Sequence, residues 1–332
     1  MLGPDRNTQA RPRNFASCSG CNLCLLVCPV WRRTHDFALT PHGRAKALQH
    51  GAAAADLAES IQGCTLCGAC EPVCPEEIPL IAMTLDLRRQ MPQPAAVQEL
   101  RTRMEAQAGH EPSPRSGPVR ALLPGPALRG RPDTMERAVA LLGGTGSIRL
   151  ADDDGADIAL ALEAGSTIAS RRMEQFLRPL RALKQMVIAE GLLLRHLRPL
   201  LPGAALISLG EALSRLDAVR GALRAGDLYV IEPRAYHGDY QRLVRHYDAL
   251  RAASGCAFNL DLQRIAVPAT ARSLPQRLGL ETIDDGVQLR WIMQGRKVTR
   301  IVVEGVEDHA AFEGISALPV VHLADLADDG AS

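Results

Sequence analysis

Two patterns of apolar and polar positions divide the chain. Up to about residue 90, short helical stretches lie between cysteine-rich loops. Pro41 to Leu48 (PHGRAKAL) and Ala52 to Ile61 are rich in Ala, Leu and Arg, which favour helices, and Pro79 to Gln90 predicts a further helix. No strand-like alternation occurs there. From Val119 onward, apolar runs at Val119–Leu123, Met186–Ala189, Leu206–Leu209, Tyr229–Ile231, Ile301–Val303 and Val320–Leu323 alternate with helical stretches such as Asp133–Leu142 and Asp239–Ala252. That succession predicts an α/β fold with a largely parallel sheet. Between the two styles, Met91 to Pro118 is polar and punctuated by proline. Val97 to Ala108 has helical character, but the Glu111 to Pro118 stretch reads as a linker.

The α/β part echoes itself. Gln185 to Gly191 (QMVIAEG) is matched by Thr299 to Gly305 (TRIVVEG), Leu206 to Leu213 by Val320 to Ala327, and Val119 to Leu123 by Leu228 to Ile231. An echo at this period predicts two related lobes. The resulting organisation is a helical domain at 1–92, a Pro-rich linker at 93–117, lobe 1 at 118–226 and lobe 2 at 227–332.

Charge removes several function classes. Lys+Arg 38 and Asp+Glu 37 nearly cancel and are interspersed, and aromatic residues make up 3% of the chain. Neither a basic patch nor stacking aromatics supports a nucleic-acid partner. The most apolar window, Gly191 to Leu213, is broken by Arg195, His196, Arg198 and two prolines, short of the ~18 apolar residues of a membrane span. With no apolar leader at the N-terminus, the expectation is a cytoplasmic protein.

The cysteines carry the chemistry. Eight of nine fall in two runs, Cys18, Cys21, Cys24, Cys28 and Cys64, Cys67, Cys70, Cys74, each reading C-x-x-C-x-x-C-x-x-x-C-P with Pro29 and Pro75 closing them. A disulfide framework belongs to short secreted chains. Zinc favours two well-separated pairs around one ion, whereas here four cysteines crowd into each run. Iron–sulfur ligation fits: three cysteines at this spacing reach three irons of a cubane, and the fourth of each run serves the other cluster. The assignment is two [4Fe–4S] clusters, one on Cys18, Cys21, Cys24 and Cys74, the other on Cys64, Cys67, Cys70 and Cys28. The fold class is thus an α-helical dicluster ferredoxin domain followed by an α/β region of two related lobes.

Other residues read more plainly. Arg32, Arg33, Arg44 and Lys46 lie between the runs; they either offset cluster charge or form a solvated helix face, the commoner role of charge runs. His35 and His42 lack metal partners at ligand spacing, and Trp31 reads as a hydrophobic cover. Glu190, Glu232 and Glu304 end predicted strands, where parallel sheets present functional groups, although solvated loop carboxylates are the commoner case. Gly143 to Gly146 lacks the rest of a nucleotide motif and reads as a turn. Cys256 reads as a buried inert thiol.

The two cysteine runs flanking Pro41-His42-Gly43-Arg44, followed by a two-lobed α/β region, resemble the iron–sulfur subunits of glycolate oxidase, anaerobic glycerol-3-phosphate dehydrogenase and lactate utilisation, and the fused C and B subunits of heterodisulfide reductase. That resemblance implies cysteine-rich CCG motifs in both lobes. At the places that look equivalent, this chain has Gly125-Pro126, Asp153-Asp154-Gly155 and Glu232-Pro233-Arg234, with no cysteine between residues 75 and 255. The lobes therefore resemble CCG domains without metal ligands. The implied function is an electron-transfer iron–sulfur subunit of a multi-subunit oxidoreductase with no catalytic residue of its own. It would relay single electrons between a redox subunit, a flavoprotein dehydrogenase or a heterodisulfide-reductase-like protein, and an acceptor, meeting a membrane only through that partner. The alternatives are a stand-alone oxidoreductase using Glu232, Tyr236 or His237 in the lobes, and a redox-sensing or assembly scaffold.

Overall fold

The computed structural model describes residues 13–107, 119–262, 264–270, 272–282, 284 and 286–326. Residues 1–12 of the expected first domain, 108–117 of the expected linker and 327–332 of the last lobe lie outside the described residues.

The first part consists of cysteine loops and helices: α1 (Leu23–Leu26), α2 (Pro29–Thr34), α3 (Pro41–Gln49), α4 (Ala58–Gln62) and α5 (Leu80–Arg89). Proline opens α2 and α3, where its missing N–H has no helical partner to lose. Thr40 caps α3, its hydroxyl accepting from the Gly43 N–H at 3.1 Å. Gly43 itself is needed for packing, because a Cβ there would lie 2.2 Å from the Phe37 carbonyl oxygen. Phe15, Ala45, Ile61, Ile78, Leu80 and Leu87 form the local core.

Within the expected linker at 93–117, the helical stretch expected from Val97 is present. Helix α6 (Ala95–Gln107) occupies most of its described portion. Val97, Leu100 and Met104, spaced i, i+3, i+7, form an apolar stripe that packs on Leu160, Ala164 and Leu274. Its burial outweighs the flanking prolines.

Beyond residue 118 lie two four-stranded parallel sheets. The first joins β1 (Arg120–Leu123), β2 (Arg149–Leu150), β3 (Gln185–Ile188) and β4 (Ala205–Ser208) in the order β2-β1-β3-β4. The second joins β5 (Asp227–Val230), β6 (Ala257–Phe258), β9 (Arg300–Val303) and β10 (Val320–His322) in the order β6-β5-β9-β10. Between β6 and β9, β7 (Leu260–Asp261) and β8 (Ile265–Ala266) form a short antiparallel pair. The central strands β5 and β9 are buried along their length: their apolar runs fill the core, and their first residues, Asp227 and Arg300, pair at 2.8 Å.

No part stands apart. One core joins Leu122 and Val187 of the first sheet to Tyr229 and Val302 of the second. Another takes Leu66, Ile81 and Leu85 from the cysteine region into the core of Leu123, Ile188 and Leu192. Helices begin directly after the strands, at Gly125, Gly191, Leu209, Pro233 and Val306, so the carboxyl ends of β1, β3, β4, β5 and β9 open towards one region.

Candidate functional site

The two cysteine runs adopt the same backbone turn twice. The second residue after the first cysteine is left-handed in both, Gly20 at φ +83° and Leu66 at φ +53°, as is the residue after the second cysteine, Asn22 at φ +66° and Gly68 at φ +78°. Leu66 accepts a conformation that disfavours a Cβ, and its side chain, 2% exposed, is anchored in the core of the first sheet.

Each cavity beside these turns collects three cysteines of one run and the last of the other. Cys18, Cys21, Cys24 and Cys74 line the first, with Pro41, His42 and Ile78. Cys28, Cys64, Cys67 and Cys70 line the second, with Val30, Leu39 and Ile81. The structure thus brings together the two groups of four cysteines that crossed ligation would need. Among the described residues, no three Cys, His, Asp or Glu side chains converge closely enough to hold a single metal ion. Four thiols ringing a cavity fit a multi-atom cluster better than one zinc ion.

Burial and neighbouring charges set the protonation of these thiols. Burial, with the neighbouring thiols of Cys28, Cys18, Cys21 and Cys74, pushes the Cys24 thiol up to about 12. Burial likewise raises Cys28, Cys70 and Cys67, the last to about 12 against N–H donation from Ala69. Burial would raise Cys64 too, but Arg44 and Arg88 hold it below its ordinary value. Such thiols lose their protons when metal supplies the positive charge, so loading should release protons.

The expected solvated face is corrected at Arg44, which is 1% exposed and lines the second cavity. Arg32 is also engaged, pairing with Asp261 at 2.8 Å and lying 4.0 Å from the centre of the Trp291 ring. Arg88, fully buried, was missed by sequence reasoning; it donates to the carbonyls of Ile61, Gln62, Cys64 and Glu163. Its signal was present, since Ile81, Thr84, Leu85 and Arg88 share one helical face. His42 is buried and lines the first cavity rather than facing solvent. Trp31 lines neither cysteine cavity.

A larger cavity, about 380 Å³, lies where the strand ends meet the cysteine loop. Thr65 and Cys67 form one wall; Gly125, Glu190, Glu232, Glu304 and Asp308 are among the others. The expected solvated role of the three glutamates is corrected. Glu304 is buried, accepting the Tyr229 and Tyr247 hydroxyls at 2.7 and 2.6 Å and the Glu232 N–H at 2.9 Å. Glu232 caps the helix after β5 by accepting the N–H groups of Arg234 and Ala235. Glu190 accepts the Leu193 N–H and pairs with Arg234 at 3.3 Å. Burial pushes Glu232 up to about 8, and Glu304 and Asp308 up to about 7.

Tyr236 and His237 do not line this cavity. The Tyr236 hydroxyl donates to the Arg264 carbonyl at 2.7 Å. His237, held neutral by burial at a value of about 4, donates from Nδ1 to the Cys67 carbonyl at 2.7 Å and accepts the Ala266 N–H at Nε2. It therefore positions the second cysteine loop. Arg234 does the same, donating to the Thr65 carbonyl at 2.9 Å while pairing with Glu163 at 2.7 Å. Asp153 and Asp154 serve Arg172 and Arg129 in a separate ionic network. Cys256 is buried, its thiol donating to the Arg224 carbonyl.

Residues 14–78 match the 4Fe-4S dicluster domain family, which spans both cysteine runs. The cofactors are two [4Fe–4S] clusters, and the region has an iron–sulfur electron-transfer role. No curated protein and no solved structure is detectably similar to the chain. Among the described residues, no helix is long and apolar enough to cross a membrane.

Proposed function

We propose that the chain is the electron-transfer subunit of a multi-subunit oxidoreductase in a reducing compartment, the cytoplasm. The sorting of the eight cysteines into two crossed sets, each around its own cavity, carries this reading. Cys18, Cys21, Cys24 and Cys74 would hold one cluster, and Cys28, Cys64, Cys67 and Cys70 the other. When bound, such clusters take up and release single electrons. The protein's residues hold the sites, exclude water and set their charge. Exposed Cys21 leaves the first site open to a redox partner, such as a flavoprotein dehydrogenase, whereas Cys28, Cys67 and Cys70 are buried.

The matching strand orders of the two sheets support reading them as related lobes, similar to CCG domains whose metal ligands are gone. Gly125-Pro126 and Glu232-Pro233-Arg234 follow corresponding strands, β1 and β5, which supports that comparison. Protein purified without air should contain about eight irons and eight sulfides. It should co-purify with a redox subunit, and its visible absorption should bleach when that subunit receives its substrate. Stoichiometric zinc without visible absorption would overturn the reading.

The 380 Å³ cavity favours a second reading, a stand-alone oxidoreductase with its substrate between the sheets. Glu232 is then its candidate functional residue, because Tyr236 and His237 are committed elsewhere. A lone monomer that reduces or oxidises a small molecule with a dye, and loses that activity in Glu232→Gln, would establish it.

A further inference from the structure

The two cysteine cavities differ in the charged side chain that faces each. Arg44 lines the second, 1% exposed. Its Nη1 donates to the Ser60 carbonyl and hydroxyl at 2.7 and 3.1 Å, and to the Leu39 carbonyl at 3.4 Å. No carboxylate among the described residues pairs with it, and its Nε finds no acceptor. Arg88 stands behind Cys64, also fully buried, donating to backbone carbonyls. Burying a cation without a counter-charge is costly. The anion facing Arg44 is the thiolate set itself with whatever it holds, while Arg88 is shared between Cys64 and the buried Glu163. Glu71, next to Cys70, is neutralised by Arg195 at 2.6 Å.

The first cavity is the reverse case. Glu76 lines it, and Cys21 opens to solvent. Lys46 is nearby, but it donates to the Cys18 carbonyl and to Gln49 and is absent from the cavity wall.

We infer that Arg44, backed by Arg88, is the counter-charge of the cluster held by Cys28, Cys64, Cys67 and Cys70, and raises its reduction potential above that of the cluster held by Cys18, Cys21, Cys24 and Cys74. The reason is electrostatic. Reduction adds one negative charge to a cluster without making or breaking a bond, and a cation in a dry, low-dielectric site favours the reduced form more than a screened surface charge does. The inner site, whose Cys67 also faces the 380 Å³ cavity, is then the electron sink of the pair. This inference rests on the electron-transfer reading.

The test is a redox titration of the anaerobically purified full-length protein, followed by electron paramagnetic resonance. Cys21→Ser assigns the signals, since it damages only the first site. In the wild type, the signal that survives Cys21→Ser should have the higher midpoint. Arg44→Gln should lower that midpoint and leave the other in place, with Arg44→Lys retaining most of the wild-type value. Glu76→Gln should raise the first-site midpoint alone. A reversed or equal order in the wild type overturns the inference, as does an iron-replete Arg44→Gln protein with an unmoved inner midpoint. If Arg44→Gln cannot hold iron, the wild-type order and Arg44→Lys decide. A protein that binds no cluster instead defeats the electron-transfer reading, which separates the two failures.

Discussion

Arg44 and Arg88 are the residues on which the inner site depends most. A cation in a dry site acts on a neighbouring charge far more strongly than an exposed ion pair does. Arg88 also ties the carbonyls of Ile61, Gln62, Cys64 and Glu163 together, so its loss leaves buried acceptors unpaired. Arg88→Ala should cost about 3–5 kcal/mol in denaturant unfolding and lower iron retention. The buried carboxyls predict a pH effect. Glu232, Glu304 and Asp308 have folded values raised above the ordinary carboxyl range. The folded state therefore binds more protons than the unfolded one, and the stability they contribute is lost as pH rises through about 7 to 8. Buried His237 and His322, lowered to about 4, act in the opposite sense but only below the ordinary histidine value of 6.5. Denaturation midpoints should thus fall between pH 6.5 and 8, and fall less in Glu232→Gln. A flat profile in the wild type would refute this.

At the level of elements, what was legible in the sequence is what local chemistry decides. Cysteine spacing is set by the cluster, so both runs could be read directly; proline at the start of α3 and the unbroken apolar strands were equally plain. Helix α6 was harder, because its stripe has only Val97, Leu100 and Met104 and its partners Leu160 and Leu274 are far away in sequence. The burial of Arg44 and Glu304 was illegible for the same reason, whereas Arg88 could have been read from the buried face it shares with Ile81, Thr84 and Leu85. Leu66 shows how such a distant contact serves the site. It sits between two cluster cysteines yet is buried in the first sheet's core, so the sheet holds the loop. Leu66→Ala should cost about 2–5 kcal/mol and release iron from the second site before the first, as followed by iron loss to a chelator. Equal loss from both sites would count against this anchoring.

For the whole molecule, the cysteine region and the sheets share a core and hydrogen bonds, His237 to the Cys67 carbonyl and Arg234 to the Thr65 carbonyl among them. The cluster-loaded protein should therefore unfold in one cooperative transition, with visible absorption and far-ultraviolet circular dichroism lost together; separate transitions would mean independent domains. On the proposed reading, the sheets are a rigid mount for the inner site and the outer one is where a partner would dock. Everything in this account depends on the crossed ligand sets. The most direct measurement is electron paramagnetic resonance, with iron analysis, of three reduced single variants. Cys74→Ser should abolish the same signal as Cys21→Ser, although the two residues belong to different runs, while Cys67→Ser abolishes the other. If Cys74→Ser instead removes the signal that Cys67→Ser removes, each run holds its own cluster and the account is contradicted.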